Sequence, residues 1–500
     1  MARIQHPYIW LFCAFASLGA FLYGYDGVYF NGVSTLDPFL RHFGAQQPDG
    51  SWAMPADQLA IMTSMINVGE LVGSLGAAPL NDLIGRKGVF LTGCLSIIIG
   101  VALQLAASGR AVMTAGRAIL GLGVGNFSAT SLLYMGEIAP ESLRSPLLMC
   151  WQLTLSVSQI IAAGINRGMI SYDSTFSYRF PIGFQLIFPI LVLSFIYFVP
   201  ESPRWLLRKG KTEHAERNLR LLHREDETYE PATDLRMMQE DIDQEAELVS
   251  DSSWMQLVTD PVERRKVIYS AGALVAQQIN GIQFFYYFGT VFAEDIGLSD
   301  PFLLTLIVFI IQVFVVLAAV LLANRLPRRP LLLITTAIMM VSIFIVGCLG
   351  IPSSNPSQTF GKVIISFVII EIVAFNFAWG PLGWTIASEM AVGRNRNKIY
   401  AVAVACFWVT VWLIVFTLPY LYYTGGLGPK TGFVYTGLCF ITLAYVYFCV
   451  GEVQGRTFEE IDGFFRDGIP ARNWKNQPKR LVPKRMDFSS VGPKKTPITA

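Results

Sequence analysis

Twelve apolar stretches of about 18–25 residues punctuate the chain, beginning near Ile9, Leu59, Val89, Val112, Leu147, Pro181, Val267, Leu303, Leu331, Val363, Ile399 and Phe433. A run of that length matches roughly 30 Å of hydrocarbon, which an α-helix can cross because it satisfies its own backbone N–H and C=O groups. The pattern predicts an all-α membrane protein of twelve transmembrane helices. A polar interruption at 201–262 divides the spans six and six, and within it Thr212–His223 and Asp234–Leu248 carry apolar residues at helical spacing. The expected layout is an N-terminal six-helix bundle over 1–200, a helical linker over 201–262, a C-terminal six-helix bundle over 263–452 and a tail over 453–500. The Pro, Lys and Arg content after Asp467 marks that tail as largely disordered.

Charge fixes an orientation. Arg86, Lys87, Arg144, Arg204, Arg208, Lys209, Arg264, Arg265, Lys266, Arg325, Arg328, Arg329, Arg394, Arg396 and Lys398 all fall in connections on one side, whereas the other side carries scattered cations such as Arg41, Arg110, Arg179 and Lys430. By the positive-inside rule the basic side, with both termini, is cytoplasmic. With 53% hydrophobic and only 15% charged residues, the chain falls well below the roughly 25% charge of soluble domains. Its seven cysteines lie inside apolar runs, which suits packing thiols rather than disulfides or metal ligands. The first apolar run is long enough to span and carries a polar motif of its own, unlike a cleavable leader.

The halves echo each other. Asn81-Asp-Leu-Ile-Gly-Arg-Lys after the second span returns as Asn324-Arg-Leu-Pro-Arg-Arg-Pro after the eighth. Glu137 and Arg144 after the fourth span, and Glu389 and Arg396 after the tenth, share a spacing of seven residues. Pro200-Glu-Ser-Pro-Arg returns as Gly451-Glu-Val-Gln-Gly-Arg. Repeated halves of this kind rock against each other around a site near mid-depth.

In order along the chain, Gly24-Tyr-Asp, Gly116-Arg-Ala-Ile-Leu-Gly-Leu-Gly-Val-Gly, Glu137/Arg144, Pro200-Glu-Ser-Pro-Arg-Trp, Gln277-Gln-Ile-Asn-Gly-Ile, Arg328-Arg-Pro, Trp379-Gly-Pro-Leu-Gly-Trp and Glu389/Arg394/Arg396 resemble the motifs of the sugar porter family of the major facilitator superfamily. The resemblance covers nearly the whole chain and implies the twelve-helix fold of two pseudo-symmetric bundles. It also implies a secondary transporter importing a monosaccharide or related small carbohydrate by alternating access, multi-pass in the plasma membrane. A facilitative carrier, a carrier for a sugar acid or polyol, and a non-transporting sugar sensor are the other readings. The chain departs from the family at Ala78, Leu83, Asn324 and Pro327, at Glu452-Val-Gln-Gly, and at Gln283 and Phe407, where the family commonly has Asn and a smaller amide.

Asp26 stands within an apolar run. A carboxylate at the centre of a spanning helix costs about 2.5–3.5 kcal/mol, so it calls for a partner and a purpose. The resemblance pairs it with Arg117 as a proton-coupling site, since facilitators of the family tend to carry a neutral residue at the aspartate position. A static ion pair pinning the first and fourth spans is the bland alternative. A sugar leaving water needs neutral donors and acceptors and flat apolar faces. Gln152 and Gln159, seven residues apart on one helix, can face one cavity, and Gln277, Gln278 and Gln283 flank Gly281, where a helix can unwind. Interhelical hydrogen bonding is the competing role for each amide. Tyr287, Trp384 and Trp408 match sugar-facing or gate positions of the family. Glu137, Arg144, Glu201, Arg204, Glu389, Arg394 and Arg396 can form salt bridges between the halves on the cytoplasmic side that hold while the cavity faces outward.

Glu70 and Glu371 lie in spans and have no family counterpart; each is a second proton site, a substrate contact or a plain hydrogen-bond acceptor. All four histidines lie outside the spans, which leaves no histidine relay. No nucleophile, metal cluster or phosphate loop is apparent, so neither an enzyme nor a cofactor is expected. The implied partners are carbohydrate, proton and bilayer, without nucleic acid, for a chain working as a monomer.

Overall fold

The computed structural model describes residues 7–478, apart from 49, 226–228, 251–252, 287–292, 294–299, 323–325, 352–357 and 455. Pro7–Ala16 and Leu18–Val33 form the first span, and Ala56–Leu105 carries the second and third as one assigned helix broken at Gly85. Arg110–Ile138, Glu141–Met169 and the pair Phe176–Phe184 and Ile187–Phe195 complete the first half. The second half begins with Pro261–Ile279 and continues through Pro301–Leu322 and Arg328–Leu349. Gln358–Met390, Arg396–Thr424 and Thr431–Cys449 follow. Each half packs around its own apolar core.

Among the described residues, nine stretches are long and apolar enough to cross a bilayer, and Ala56–Leu105 counts twice because it turns at Gly85. The fifth and seventh spans, which fall outside that set, are the two that carry the paired glutamines. Neighbouring helices rather than lipid must satisfy these amides.

Two spans are interrupted where the site lies. The seventh ends at Ile279, passes through Gly281 at φ 101°, and resumes as a short helical turn reaching Tyr286. A Cβ at Gly281 would sit 2.4 Å from Ile343 Cδ1, so both conformation and space require glycine there. The tenth widens into a π-helix at Phe375–Trp379, a form of helix frequent at functional sites.

The linker is helical as expected, with Pro203–Arg208, Thr212–Leu222, Pro231–Ser250 and Gln256–Thr259. The tail differs from its expectation. Residues 453–478 are largely folded against the second half, with Phe458–Arg466 opened by a Thr457/Glu460 capping box and Trp474 fully buried. Composition after Asp467 hid this, whereas Ile461, Phe464 and Phe465 form an apolar stripe at helical spacing that needs a surface to cover it. Lys266 holds the helix by pairing with Asp462 at 2.6 Å. Residues 479–500 lie outside the described part.

Candidate functional site

The second and fourth spans touch backbone to backbone. A Cβ at Gly69 would stand 2.1 Å from the Ala118 carbonyl, one at Gly73 2.3 Å from Leu122 O, and one at Gly121 2.2 Å from Ile66 O. Small residues permit this approach, the usual device for close helix packing in membranes. It fixes Arg117 against the second span, where its Nε donates to Met62 O at 2.7 Å. The guanidinium lies 3.8 Å from the centre of the Phe30 ring, donates through Nη1 to the Tyr29 hydroxyl at 3.2 Å, and presents Nη2 to Asp26 Oδ2 at 3.7 Å. Both charged side chains are buried. Their separation is ionic rather than hydrogen-bonded, and Asp26 Oδ1 and Arg117 Nη2 have no hydrogen-bond partner among the described residues. The expected pairing is therefore observed with spare hydrogen-bonding capacity on both partners.

The amides divide into two groups. Gln277 Nε2 donates to Trp379 O at 2.7 Å and to Gly380 O at 3.2 Å, so the end of the seventh span clasps the π-helical turn of the tenth. Gln278 donates to Gln277 Oε1 at 3.2 Å, and Gln283 donates in turn to Gln278 Oε1. Gln283 Oε1 is left buried without a partner among the described residues. The second group crosses between the halves. Gln312 Nε2 donates to Gln159 Oε1 at 2.6 Å and to Ser156 Oγ at 3.2 Å, while Gln312 Oε1 accepts from the Tyr286 hydroxyl at 3.2 Å. Asn376, in the π-helical turn, donates to that hydroxyl at 2.9 Å.

Gln312, Tyr286 and Asn376 thus join Gln159 in one ladder running from the fifth span through the eighth and seventh to the tenth. Sequence reading missed all three, although Gln312 and Asn376 are polar residues alone in apolar runs, the same signal that singled out Asp26. Gln152 is half-buried, one turn before Ser156, whose hydroxyl donates to the Gln152 carbonyl at 3.1 Å. Tyr287 lies outside the described residues.

Aromatic rings close the space around the amides. Trp384 lies 4.7 Å from Phe407 between ring centres, Phe407 lies 5.0 Å from Trp408, and Trp408 meets Tyr23 edge-on at 5.8 Å. The Tyr23 ring is 6.2 Å from that of Trp151. Trp408 and Trp151 each bury an indole N–H without a partner among the described residues, which leaves two donors available to a hydroxylated guest.

On the basic face the described glutamates pair within their own halves. Arg86 binds Glu137 through Nε at 2.7 Å and Nη2 at 2.5 Å, and Arg328 pairs with Glu389. Glu201 accepts the backbone N–H groups of Arg86 and Lys87 at 3.0 and 3.1 Å; Glu452 accepts those of Arg328 and Arg329 at 3.3 and 3.2 Å. The two halves therefore repeat one device down to its hydrogen bonds. Among the described residues, Glu137 and Glu389 each pair with an arginine at a helix start of their own half. Gly85, at φ 79° and with its Cβ position 2.6 Å from Glu201 Oε2, is the residue that admits this carboxylate. Arg394 lies 3.9 Å from Asp260 at the end of the linker, and Arg396 stacks on Phe458 of the tail helix at 4.2 Å. Arg204 lies at the start of the linker helix Pro203–Arg208. The Arg144 side chain lies outside the described part.

Across the halves, contacts lie instead at mid-depth and on the opposite face. There Asn31 donates to Tyr286 O at 3.3 Å, and Arg167 pairs with Asp300 at 2.7 Å. Asp300 is partly buried; burial favours the neutral form, but hydrogen bonds from Arg167 and the Leu303 N–H hold its carboxyl below the usual range.

Two bundles repeating one ion-pair device, helices broken at mid-depth and a ladder of neutral polar groups across the divide define a carrier of the alternating-access class. The chain belongs to the sugar (and other) transporter family, whose profile matches residues 12–465. It is 30% identical to the major facilitator-type transporter ecdD of Aspergillus rugulosus, covering 93% of this chain and 88% of that protein. It is 28% identical to the low-affinity glucose transporter HXT4 of Saccharomyces cerevisiae, over 91% of this chain and 81% of the relative. The high glucose sensor RGT2 of the same yeast is 29% identical over 90% of this chain, which spans only 60% of the sensor's length. Among solved structures, the proton:xylose symporter XylE bound to 6-bromo-6-deoxy-D-glucose superposes with a TM-score of 0.75 at 22% identity, over 92% of this chain and 99% of that one. At that identity the likeness shows the fold.

Proposed function

We propose that this protein is a proton-coupled importer of a monosaccharide or close relative. It works as a monomer in the plasma membrane, with its basic face and both termini in the cytoplasm. The observation that carries the reading is the ladder Gln159–Gln312–Tyr286–Asn376, a run of neutral donors and acceptors shared by both halves. A sugar can exchange those bonds for its own hydroxyls at little net cost, because amide and hydroxyl groups donate and accept alike. Trp384, Phe407 and Trp408 supply the flat apolar surface that a pyranose or furanose ring requires. Gln152, Gln159, Gln277, Gln278, Gln283 and Tyr287 complete the sugar site in this reading. Phe407 narrows it relative to the smaller amide usual in the family.

Proton coupling rests on Asp26 and Arg117. With the guanidinium near, the ionised carboxylate is favoured; a movement that withdraws Arg117 or excludes water favours protonation, which ties the proton to the direction in which the cavity opens. Similarity to the ecdD transporter, to yeast glucose transporters and to the fold of XylE agrees with this reading. The likeness to RGT2 favours a second one, a sensor that binds sugar without moving it.

The deciding experiment is uptake by a transport-null cell, using hexoses, pentoses, polyols and uronates with and without an uncoupler. Accumulation of one neutral sugar that collapses with the uncoupler is expected. Binding without accumulation would establish the sensor, and accumulation only to the external concentration would establish a facilitator.

The ladder makes its own prediction. Gln312→Ala removes the amide that touches both halves, and is expected to weaken sugar binding about tenfold, the equivalent of one well-made hydrogen bond at roughly 1.4 kcal/mol. Direct titration of the purified protein measures this, and unchanged affinity would remove Gln312 from the sugar site.

A further inference from the structure

We propose that Glu70 is the second carboxylate of the proton site, so that Asp26 and Glu70 share one transported proton beside the single cation Arg117. This rests on the proton-coupled reading above and extends it to a residue for which the family resemblance offers no counterpart.

Glu70 is buried in the second span, and its Oε2 has no hydrogen-bond partner among the described residues. The glycine contacts that bring the second and fourth spans together bracket it. A Cβ at Gly125 would sit 2.4 Å from Glu70 O, and one at Gly121 3.1 Å from Glu70 N. Arg117 is one turn before Gly121 on the fourth span and is bonded to Met62, two turns before Glu70 on the second. Glu70 is accordingly within electrostatic reach of both Asp26 and Arg117. Tyr23, on the first span three residues before Asp26, packs against Trp151 and Trp408 at the sugar site. The eleventh span also packs on the Ala56–Leu105 helix. Its charged residues Arg396 and Lys398 lie in its first turn, against Phe458 and Trp254.

Counting charge gives the consequence. With Asp26 alone opposite Arg117, the ionised pair is neutral, and a proton arriving on Asp26 leaves an uncompensated buried guanidinium. Removing one partner of a buried pair in this way is strongly unfavourable. With Glu70 also ionised, the cluster carries one net negative charge, and the same proton brings it to zero. Two carboxylates sharing a site raise each other's affinity for a proton. Glu70 thereby turns proton uptake from a charge-separating step into a charge-neutralising one. It acts as a positioning residue for the proton on Asp26 and leaves the sugar contacts to the ladder. The proton is carried as such, with no bond of the substrate made or broken.

The test is the external-pH profile of initial uptake in proteoliposomes, each variant normalised to its own maximum. Glu70→Gln preserves shape and removes the charge. It is expected to require about tenfold more protons for half-maximal uptake, one pH unit toward acid, since a neighbouring like charge shifts a carboxyl by at least that much. Glu70→Asp, which keeps the charge, is expected to retain the wild-type profile. An unshifted profile in Glu70→Gln overturns the proposal, as does an equal shift in both variants, which would trace it to size. Asp26→Asn run alongside separates the two levels of inference: uphill accumulation surviving in that variant refutes the proton reading itself, whereas its loss together with an unshifted Glu70→Gln refutes only the role of Glu70.

Discussion

Asp26→Asn is expected to reduce the steady-state concentration ratio of sugar across an energised membrane to about one, while exchange of labelled for unlabelled sugar continues at a measurable rate. The amide preserves the size of the side chain and its hydrogen-bonding reach. What it removes is the charge that faces Arg117 at 3.7 Å. A carrier couples two solutes only when the binding of one changes the equilibrium between its outward and inward forms, and an amide that cannot titrate contributes no such difference. The pair is also poorly satisfied, with Asp26 Oδ1 and Arg117 Nη2 both lacking hydrogen bonds among the described residues. A purely structural pin would gain from filling those positions, whereas a group that must exchange its proton in every cycle cannot be held so firmly. The measurement is counterflow and accumulation in the same proteoliposomes with an imposed pH gradient. Undiminished accumulation would return the pair to a structural role.

Glu137→Gln is expected to lower the stability of the protein by about 3–5 kcal/mol, the cost of leaving a buried ionic partner uncompensated. Arg86 and Glu137 bury their side chains to 2% and 9% exposure and meet through two charge-assisted hydrogen bonds. After the substitution Arg86 keeps the Asn81 carbonyl, at 3.1 Å, and one amide oxygen, but loses the second acceptor and the opposing charge. Glu389→Gln in the equivalent place of the second half is expected to cost less, because Arg328 and Glu389 retain 18% and 21% exposure and water can screen the orphaned cation. Thermal unfolding in detergent measures both. Arg86→Met combined with Glu137→Met should recover much of the loss, since replacing a buried pair by apolar side chains is often neutral. Equal effects in the two halves would show that burial does not govern the pair. An altered uptake cycle at unchanged stability would show that it works as a gate.

Much of the architecture was legible because the bilayer allows few solutions. Apolar runs of spanning length, a basic side and an echoed set of loop motifs led to twelve helices in two halves, and the observed helices follow them. Asp26 and Arg117 were legible for the same reason, since charge in hydrocarbon is too costly to be incidental. On the basic face, Glu137 and Glu389 meet Arg86 and Arg328, pairings that spacing along the chain does not reveal. Glu137 with Arg144, and Glu389 with Arg396, share a spacing in sequence, yet their distance from Arg86 and Arg328 is set by how loops from different spans converge. The folded part of the tail was missed because amphipathic helix Phe458–Arg466 is short and its partner surface is remote in sequence.

By itself, then, the sequence determined the membrane class, the twofold plan, the family and the costly carboxylate, all of which follow from local hydropathy and charge. Only the tertiary structure decided which polar groups meet. It drew Gln312, Tyr286 and Asn376 into a ladder with Gln159, paired Glu137 and Glu389 within their own halves, and packed the Glu70 backbone against the fourth span that carries Arg117. The physical reason is that a buried polar side chain is recognisable from its neighbours in the chain, while the partner that satisfies it comes from another helix, placed by packing such as the glycine contacts between the second and fourth spans.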